Sequence, residues 1–245
     1  MTPSDFESPP PRRQPMLNLP GVMILLLAVL AGIHVVRAFF LDDFQYAWVI
    51  LNFAYFPARP TGFFPPIDVL SGAEIWSYLT YGLLHADWGH LLVNAFWMAA
   101  FGSPLAWRFG PARFLAFSAV AVVAGALVHL LAHGGEEIPL VGASAAVSAH
   151  MAGAARFLFI ATPGMPRSYR TPAASLAAVF TDVRTLTFLG VWIAINLAVG
   201  LFGAVSEDAA RIAWEAHVGG FLVGLLLFPL FDPVPRQATP GGSDG

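Results

Sequence analysis

Six long apolar stretches in 245 residues predict an all-α membrane protein, a six-transmembrane-helix bundle with an interfacial first loop. Three observations carry that fold class. Hydrophobic residues make up 57% of the chain and charged residues 11%, too little charge to solvate the apolar mass unless lipid covers it. Each stretch is free or nearly free of charge over the length that crosses a hydrocarbon core of about 30 Å. Arginines also collect in alternate connections, as they do where loops take opposite sides of a membrane.

The elements follow in order. Residues 1–14 form a polar, Pro-rich tail with Arg12 and Arg13 near its end. From Gln14 to Val36 there is no charge, which gives span one and outlasts a signal-peptide core of roughly 7–15 residues. Residues 41–79 mix Asp42 and Asp43 with Phe44, Tyr46, Trp48, Phe53, Tyr55 and Phe56, then prolines. Aromatics among a few charges favour the membrane–water boundary, so this segment reads as a long interfacial loop carrying a short amphipathic helix. Spans two to six follow at Trp88–Trp107, Phe114–His133, Ile138–Ala155, Thr185–Ser206 and Ile212–Phe231, and the six-span domain covers 15–231. Residues 232–245 form a second polar tail.

All twelve basic residues are arginines. With the N-terminus inside, nine of them (12, 13, 108, 113, 156, 167, 170, 184, 236) fall in inner segments and three (37, 59, 211) in outer ones. Both termini are then cytoplasmic, and spans two, four and six run from outside to inside. There is no cysteine, which excludes disulfides and thiolate metal sites. A net charge of -3 without a basic run gives no nucleic-acid partner.

Three polar settings repeat at the starts of the inward-running spans. Ser144 lies in Gly142-Ala143-Ser144-Ala145, His90 is followed by Asn94 four residues on, and His217 opens the last span. The topology is assigned without them, yet it puts all three in the outer half of the membrane. From Ser144 to Ile160 a helix runs only about 25 Å at 1.5 Å per residue. Its start is therefore sunk in the bilayer, and the loop 134–143 must dip in to meet it, which is tolerated only where protein or a water-filled cavity surrounds the backbone. Unpaired N–H groups at such a helix start favour developing negative charge. A serine there has the electrostatics of an acyl-transfer nucleophile, and His217 supplies a base for its proton. Gly220 and Gly224 follow at a GxxxG spacing, a smooth face that Ala145, Ala146, Ala149 and Ala152 can meet. His90 and Asn94 share one helical face and can both donate to an oxyanion. Asp87 and Glu215 lie at the boundary, Glu215 on a different face from His217, so a Ser–His dyad is the expectation. Other readings of the same residues stay open: helix-packing serine, polar glue at Asn94, or a metal held by His85, His90 and His217, although no carboxylate accompanies these at ligand spacing. His34, His129 and His133 lie near span ends or outward faces and read as structural, and Asn196 in span five reads as helix–helix glue.

His85-Ala-Asp-Trp-Gly-His90-Leu-Leu-Val-Asn94, Gly142-Ala-Ser144-Ala and Ala216-His217-Val-Gly-Gly220-Phe-Leu-Val-Gly224 together resemble the rhomboid family of intramembrane serine proteases, in the family's order and on the expected spans. The resemblance implies Ser144 as nucleophile, His217 as its base, and His90, Asn94 and the Ser144 amide as the oxyanion site. His85 matches a histidine at the family's active-site rim and reads as structural. It further implies transmembrane protein substrates cleaved at small residues beside helix-destabilising sequence, a lipid bilayer as surroundings, and no cofactor or metal. The bacterial inner membrane is the expected location. Three departures stand out: Ala145 where the family usually has glycine, Ser148 where some members carry a tyrosine, and Ala106 in place of the acid of a Gly-x-x-x-Glu-x-Arg pattern that Gly102 and Arg108 otherwise match. Two rivals remain: a non-catalytic client-binding relative, and a proton-relay transporter, which should show a three-span repeat that is not present.

Overall fold

The computed structural model describes residues 18–59, 69–159, 168–202 and 213–235. The expected first tail, the second tail beyond residue 235, the start of span one at Gln14 and the positions Ile160, Ser206 and Ile212 lie outside the described residues. The described chain is helical, and its β-type pairing is a single isolated bridge between Tyr55 and Leu140. Among the described residues, three helices are long and apolar enough to cross a membrane: α1 (Gly21–Phe39), α6 (Pro111–His133) and the run Trp214–Phe231, which comprises α10 (Trp214–Leu222), a π-helical turn and α11 (Phe228–Phe231). The chain is an integral membrane protein by these helices.

The first loop holds two helices rather than the one expected. In α2 (Asp43–Phe53), Asp42 caps the N-terminus through its side chain and Gln45 returns the bond, satisfying two otherwise unpaired amides. α3 (Ala73–Thr80) follows, and Arg59 ties the two together by donating to the carbonyls of Leu51 and Ala73. Next, α4 (Trp88–Trp97), a π-helical turn at Met98–Gly102 and α5 (Ser103–Phe109) form one continuous run. Gly102 lets this run approach α1, since a methyl there would stand 2.7 Å from Met23 Cε.

The centre is α7 (Ser144–Leu158), whose residues 145–157 are all buried. Its alanines and Gly153 present little more than backbone, so α10 lies directly against it. A methyl on Gly220 would collide with the Ala145 carbonyl, and one on Gly224 with that of Ala149. The anticipated contact between GxxxG face and alanine face is therefore formed. α6 completes the trio: a methyl on Gly125 would stand 2.6 Å from the Ala145 Cβ, so the family's missing glycine at 145 is matched by one across the interface. The helix α8 (Leu176–Val179) precedes α9 (Val183–Phe202), which is held more lightly. Trp192 stacks on Phe221 of α10 at 4.4 Å, while Val183, Val191 and Ile195 point outward.

The far end of the bundle is closed by Arg108, whose fork grips both Asp232 oxygens at 2.8 Å and whose remaining nitrogen donates to the Tyr169 and Thr171 carbonyls. Asp232 thus provides the carboxylate that Ala106 lacks. Two expectations need correction. His34 and His129, read as lying near span ends or on outward faces, are buried at 5% and 8% exposure, because α4 and α10 respectively cover them.

Candidate functional site

Ser144, His90 and His217 each sit in the first turn of a helix, and those three starts meet at one end of the bundle. Asp87 caps α4 by accepting the His90 amide at 2.8 Å, which fixes the backbone that carries the His90 ring. Asn94, one turn deeper, is buried, and its Nδ2 donates to the His90 carbonyl at 3.0 Å. A primary amide has a second N–H, so one donor remains.

The loop leading to Ser144 is stitched to protein throughout. Tyr55 and Leu140 exchange backbone bonds of 3.2 and 2.7 Å, Ala58 donates to Glu136, and the Gly142 amide donates to the Tyr81 carbonyl at 3.0 Å. Protein therefore pairs this irregular backbone, the condition that the sequence sets for a loop dipping into the membrane. Gly142 adopts φ +125°, a region that disfavours side chains, and a methyl there would stand 2.7 Å from His90 Nε2 and 3.7 Å from Ser144 Oγ. The glycine therefore makes room for both groups. The His85 ring is fully buried and packs edge-on to His90 at 5.1 Å, where it braces that ring.

His217 lies three residues before Gly220, on the same face and one turn nearer the helix start, so the Gly220–Ala145 contact aligns it with the beginning of α7. It is half-buried, as are Ser144 and His90. Among the described residues no hydrogen bond joins Ser144 Oγ to His217. Instead the ring bonds through Nδ1 to Asn196 Oδ1 on α9 at 2.5 Å. The orientation of that amide is fixed, because Asn196 Nδ2 donates back to the Trp192 carbonyl at 2.8 Å. Its oxygen must then face His217 and accept, so the Nδ1 carries the proton and Nε2 is left as the free lone pair.

The reading of Asn196 as helix–helix glue holds, since the bond joins α9 to α10, but it did not name His217 as the partner. The signal that could have found it is spacing: Trp192 and Asn196 on one helix and His217 and Phe221 on the other are both i,i+4 pairs, and they meet rung to rung. Glu215 bonds His133 Nε2 at 2.9 Å, and so is turned away from His217 as expected.

A second serine–histidine pair lies deeper in the bundle. Ser118 Oγ is 2.8 Å from His150 Nε2, with the ring stacked on Phe114. Its chemistry is inverted, however. The single hydroxyl proton goes to the Phe114 carbonyl at 2.8 Å, so the imidazole donates to the serine oxygen and cannot act as its base. This pair is a buried polar bridge between α6 and α7. Ser148, at the position of the family's tyrosine, likewise spends its hydroxyl on the Ser144 carbonyl.

Comparison with known proteins identifies the family. Residues 72–232 match the Rhomboid domain family. A 167-residue segment is 26% identical to "RHOMBOID-like protein 12, mitochondrial" of Arabidopsis thaliana, covering 65% of this chain and 47% of that protein, so the chain spans about half the length of the curated relative it matches. With the family match taking in the HxxxN pair, the GxS turn and the histidine ahead of the GxxxG pair, the chain belongs to the rhomboid family.

Proposed function

We propose that this protein is an intramembrane serine endopeptidase that cleaves transmembrane segments of other membrane proteins. The observation that carries the reading is the seating of Gly220 on the Ala145 carbonyl, which sets the turn of α10 that bears His217 beside the start of α7 that bears Ser144, while Asn196 occupies Nδ1 and leaves Nε2 for the serine proton. Ser144 Oγ attacks the scissile carbonyl carbon while its proton passes to His217 Nε2. The oxyanion is met by the His90 ring, the Asn94 amide and the Ser144 backbone N–H, donors that need no rearrangement as charge develops. Collapse of the tetrahedral species breaks the C–N bond, and the leaving amine takes the proton from His217. Water then attacks the acyl-enzyme by the same route in reverse and restores Ser144. Asn196 holds the Nδ1–H throughout, so the imidazolium that forms keeps its orientation. The absence of a Ser144–His217 bond fits a site that tightens only when substrate arrives.

In this reading six spans cross the membrane, both termini are cytoplasmic, and the site opens toward the outer leaflet, as the arginine distribution implies. The outward-facing apolar residues of α9 and the strapping first loop support entry of a substrate helix from the side. A bacterial inner membrane and a lipid-embedded protein substrate, with no nucleic-acid partner and no metal or cofactor in the peptidase reaction itself, complete the proposal.

The test is cleavage of a fluorescent transmembrane substrate in proteoliposomes by the native protein, Ser144→Ala and Ser118→Ala. Activity should vanish in the first variant and survive in the second. Equal cleavage by native protein and Ser144→Ala removes the assignment, and a native protein that binds substrate without cutting it favours a client-binding rhomboid relative.

A further inference from the structure

A second cluster stands at the same end of the bundle, where the end of α6 meets the start of α10. His129 and His133 are four residues apart and share the last turn of α6, facing Glu215 in the first turn of α10. One ligand atom from each of the three lies within 4.8 Å of the others. His133 Nε2 is 2.9 Å from Glu215 Oε1, and His129 Nδ1 is 3.8 Å from Glu215 Oε2. A tetrahedral ion with bonds of about 2.0–2.1 Å sets neighbouring ligand atoms roughly 3.4 Å apart. The two separations, one to each oxygen of the Glu215 carboxylate, lie on either side of that value, and a small closure of the three atoms from within 4.8 Å would reach it.

Two further features point to an ion rather than to hydrogen bonding alone. His129 Nδ1 is buried and has no hydrogen-bond partner, although its residue is only 8% exposed and the atom looks toward the carboxylate. An unpartnered buried nitrogen is costly, and a cation would complete it. His133, in turn, bonds Glu136 Oε1 through Nδ1 at 3.0 Å, which leaves Nε2 as the ligand atom. A histidine braced on its far nitrogen by a carboxylate is the usual companion arrangement of a metal-bound imidazole.

We propose that His129, His133 and Glu215 bind a divalent transition-metal ion such as Zn2+, with Glu136 bracing His133 and a water in the fourth position. Two neutral imidazoles and one carboxylate suit zinc or cobalt better than magnesium or calcium, which favour oxygen ligands. The ion would pin the end of α6 to the start of α10, two residues before His217. It is a structural clamp, separate from the peptidase chemistry and independent of it.

The test uses the full chain, freed of any affinity tag, purified in detergent and stripped with a chelator. Cobalt(II) is titrated while the visible absorption of low-coordinate cobalt is followed, and zinc is then added in competition. One equivalent of cobalt should saturate the band, and zinc should abolish it. His129→Ala and Glu215→Gln should each weaken binding by tenfold or more, and Glu136→Gln by about tenfold. Zinc should raise the melting temperature of the native protein but not that of Glu215→Gln, which keeps its size. No cobalt band in the native protein, or a band of undiminished affinity in both His129→Ala and Glu215→Gln, overturns the proposal. None of these readouts uses peptidase activity, so failure here leaves the Ser144 reading untouched, and the reverse holds.

Discussion

Replacing Asn196 by leucine keeps the volume of the side chain and removes its acceptor oxygen. In the native protein His217 Nδ1 donates to that oxygen at 2.5 Å, and the amide is itself pinned by the Trp192 carbonyl at 2.8 Å. Without it the half-buried Nδ1–H loses its partner, a penalty of about 1–3 kcal/mol. The ring can escape that penalty by turning or by moving its proton to Nε2, and either change removes the lone pair meant for Ser144. If the loss falls on the transition state, at about 1.4 kcal/mol per decade, kcat should drop roughly 10- to 100-fold. KM should stay within about twofold, since Asn196 supports the base rather than the substrate. Asn196→Asp, which retains an acceptor at the same place, should recover most of the rate. The assay is steady-state cleavage of a fluorescent transmembrane substrate at saturating and limiting concentrations. A leucine variant with native kcat, or one whose defect lies wholly in KM, would refute the argument that Asn196 sets the tautomer of His217.

Three other outcomes follow from the same structure. Gly220→Ala puts a methyl onto the Ala145 carbonyl, so α10 must back away from α7; a stability loss of about 1–3 kcal/mol and a collapse of kcat are expected in thermal melts and cleavage assays, whereas the same change at the unobstructed Gly190 should alter neither. Asp232→Asn breaks the buried two-point grip of Arg108 at the far end, where the two side chains are 0% and 7% exposed, and leaves a charge without its partner; a loss of about 3–5 kcal/mol in stability is expected, with kcat of the surviving folded protein unchanged. Burial pushes His85, in the turn before α4, from 6.5 down to about 3, aided by the neighbouring His90. The unfolded chain therefore binds more protons than the folded one between those values, so stability falls as pH drops below about 6.5, by about 1.4 kcal/mol per unit. His85→Asn should flatten the decline in melting temperature between pH 6 and 4, and an unchanged slope would contradict the assignment of that loss to His85.

The site was legible in the sequence wherever its chemistry is written in local spacing. Ser144 behind Gly142, His90 four residues from Asn94, and His217 ahead of a GxxxG pair each occupy one helix start, and a helix start can be read from a charge-free run. The contact of Gly220 and Gly224 with Ala145 and Ala149 was legible too, because small residues at a fixed period have few other uses between helices. What sequence alone hid depends on the register between distant helices. Asn196 is 21 residues from His217, and an asparagine in an apolar span looks the same whether it touches a neighbouring backbone or an imidazole. The carboxylate partner of Arg108 lies 124 residues away, just past the end of α11, which no local pattern announces. The inward turn of His129 follows from Glu215 on α10 rather than from α6, whose faces are nearly equal in hydrophobicity. The length of the first loop was visible, but its division into two helices joined by Arg59 rests on tertiary contacts.

The central claim is that one serine out of several is chemically alive. A fluorophosphonate reacts only with a serine whose proton can leave, so the purified protein in proteoliposomes should be labelled with the probe, digested and mapped by mass spectrometry. The account predicts a single adduct on Ser144, lost in His217→Ala and reduced in Asn196→Leu. An adduct on Ser118, beside His150, or labelling of Ser144 that survives the loss of His217, would contradict it.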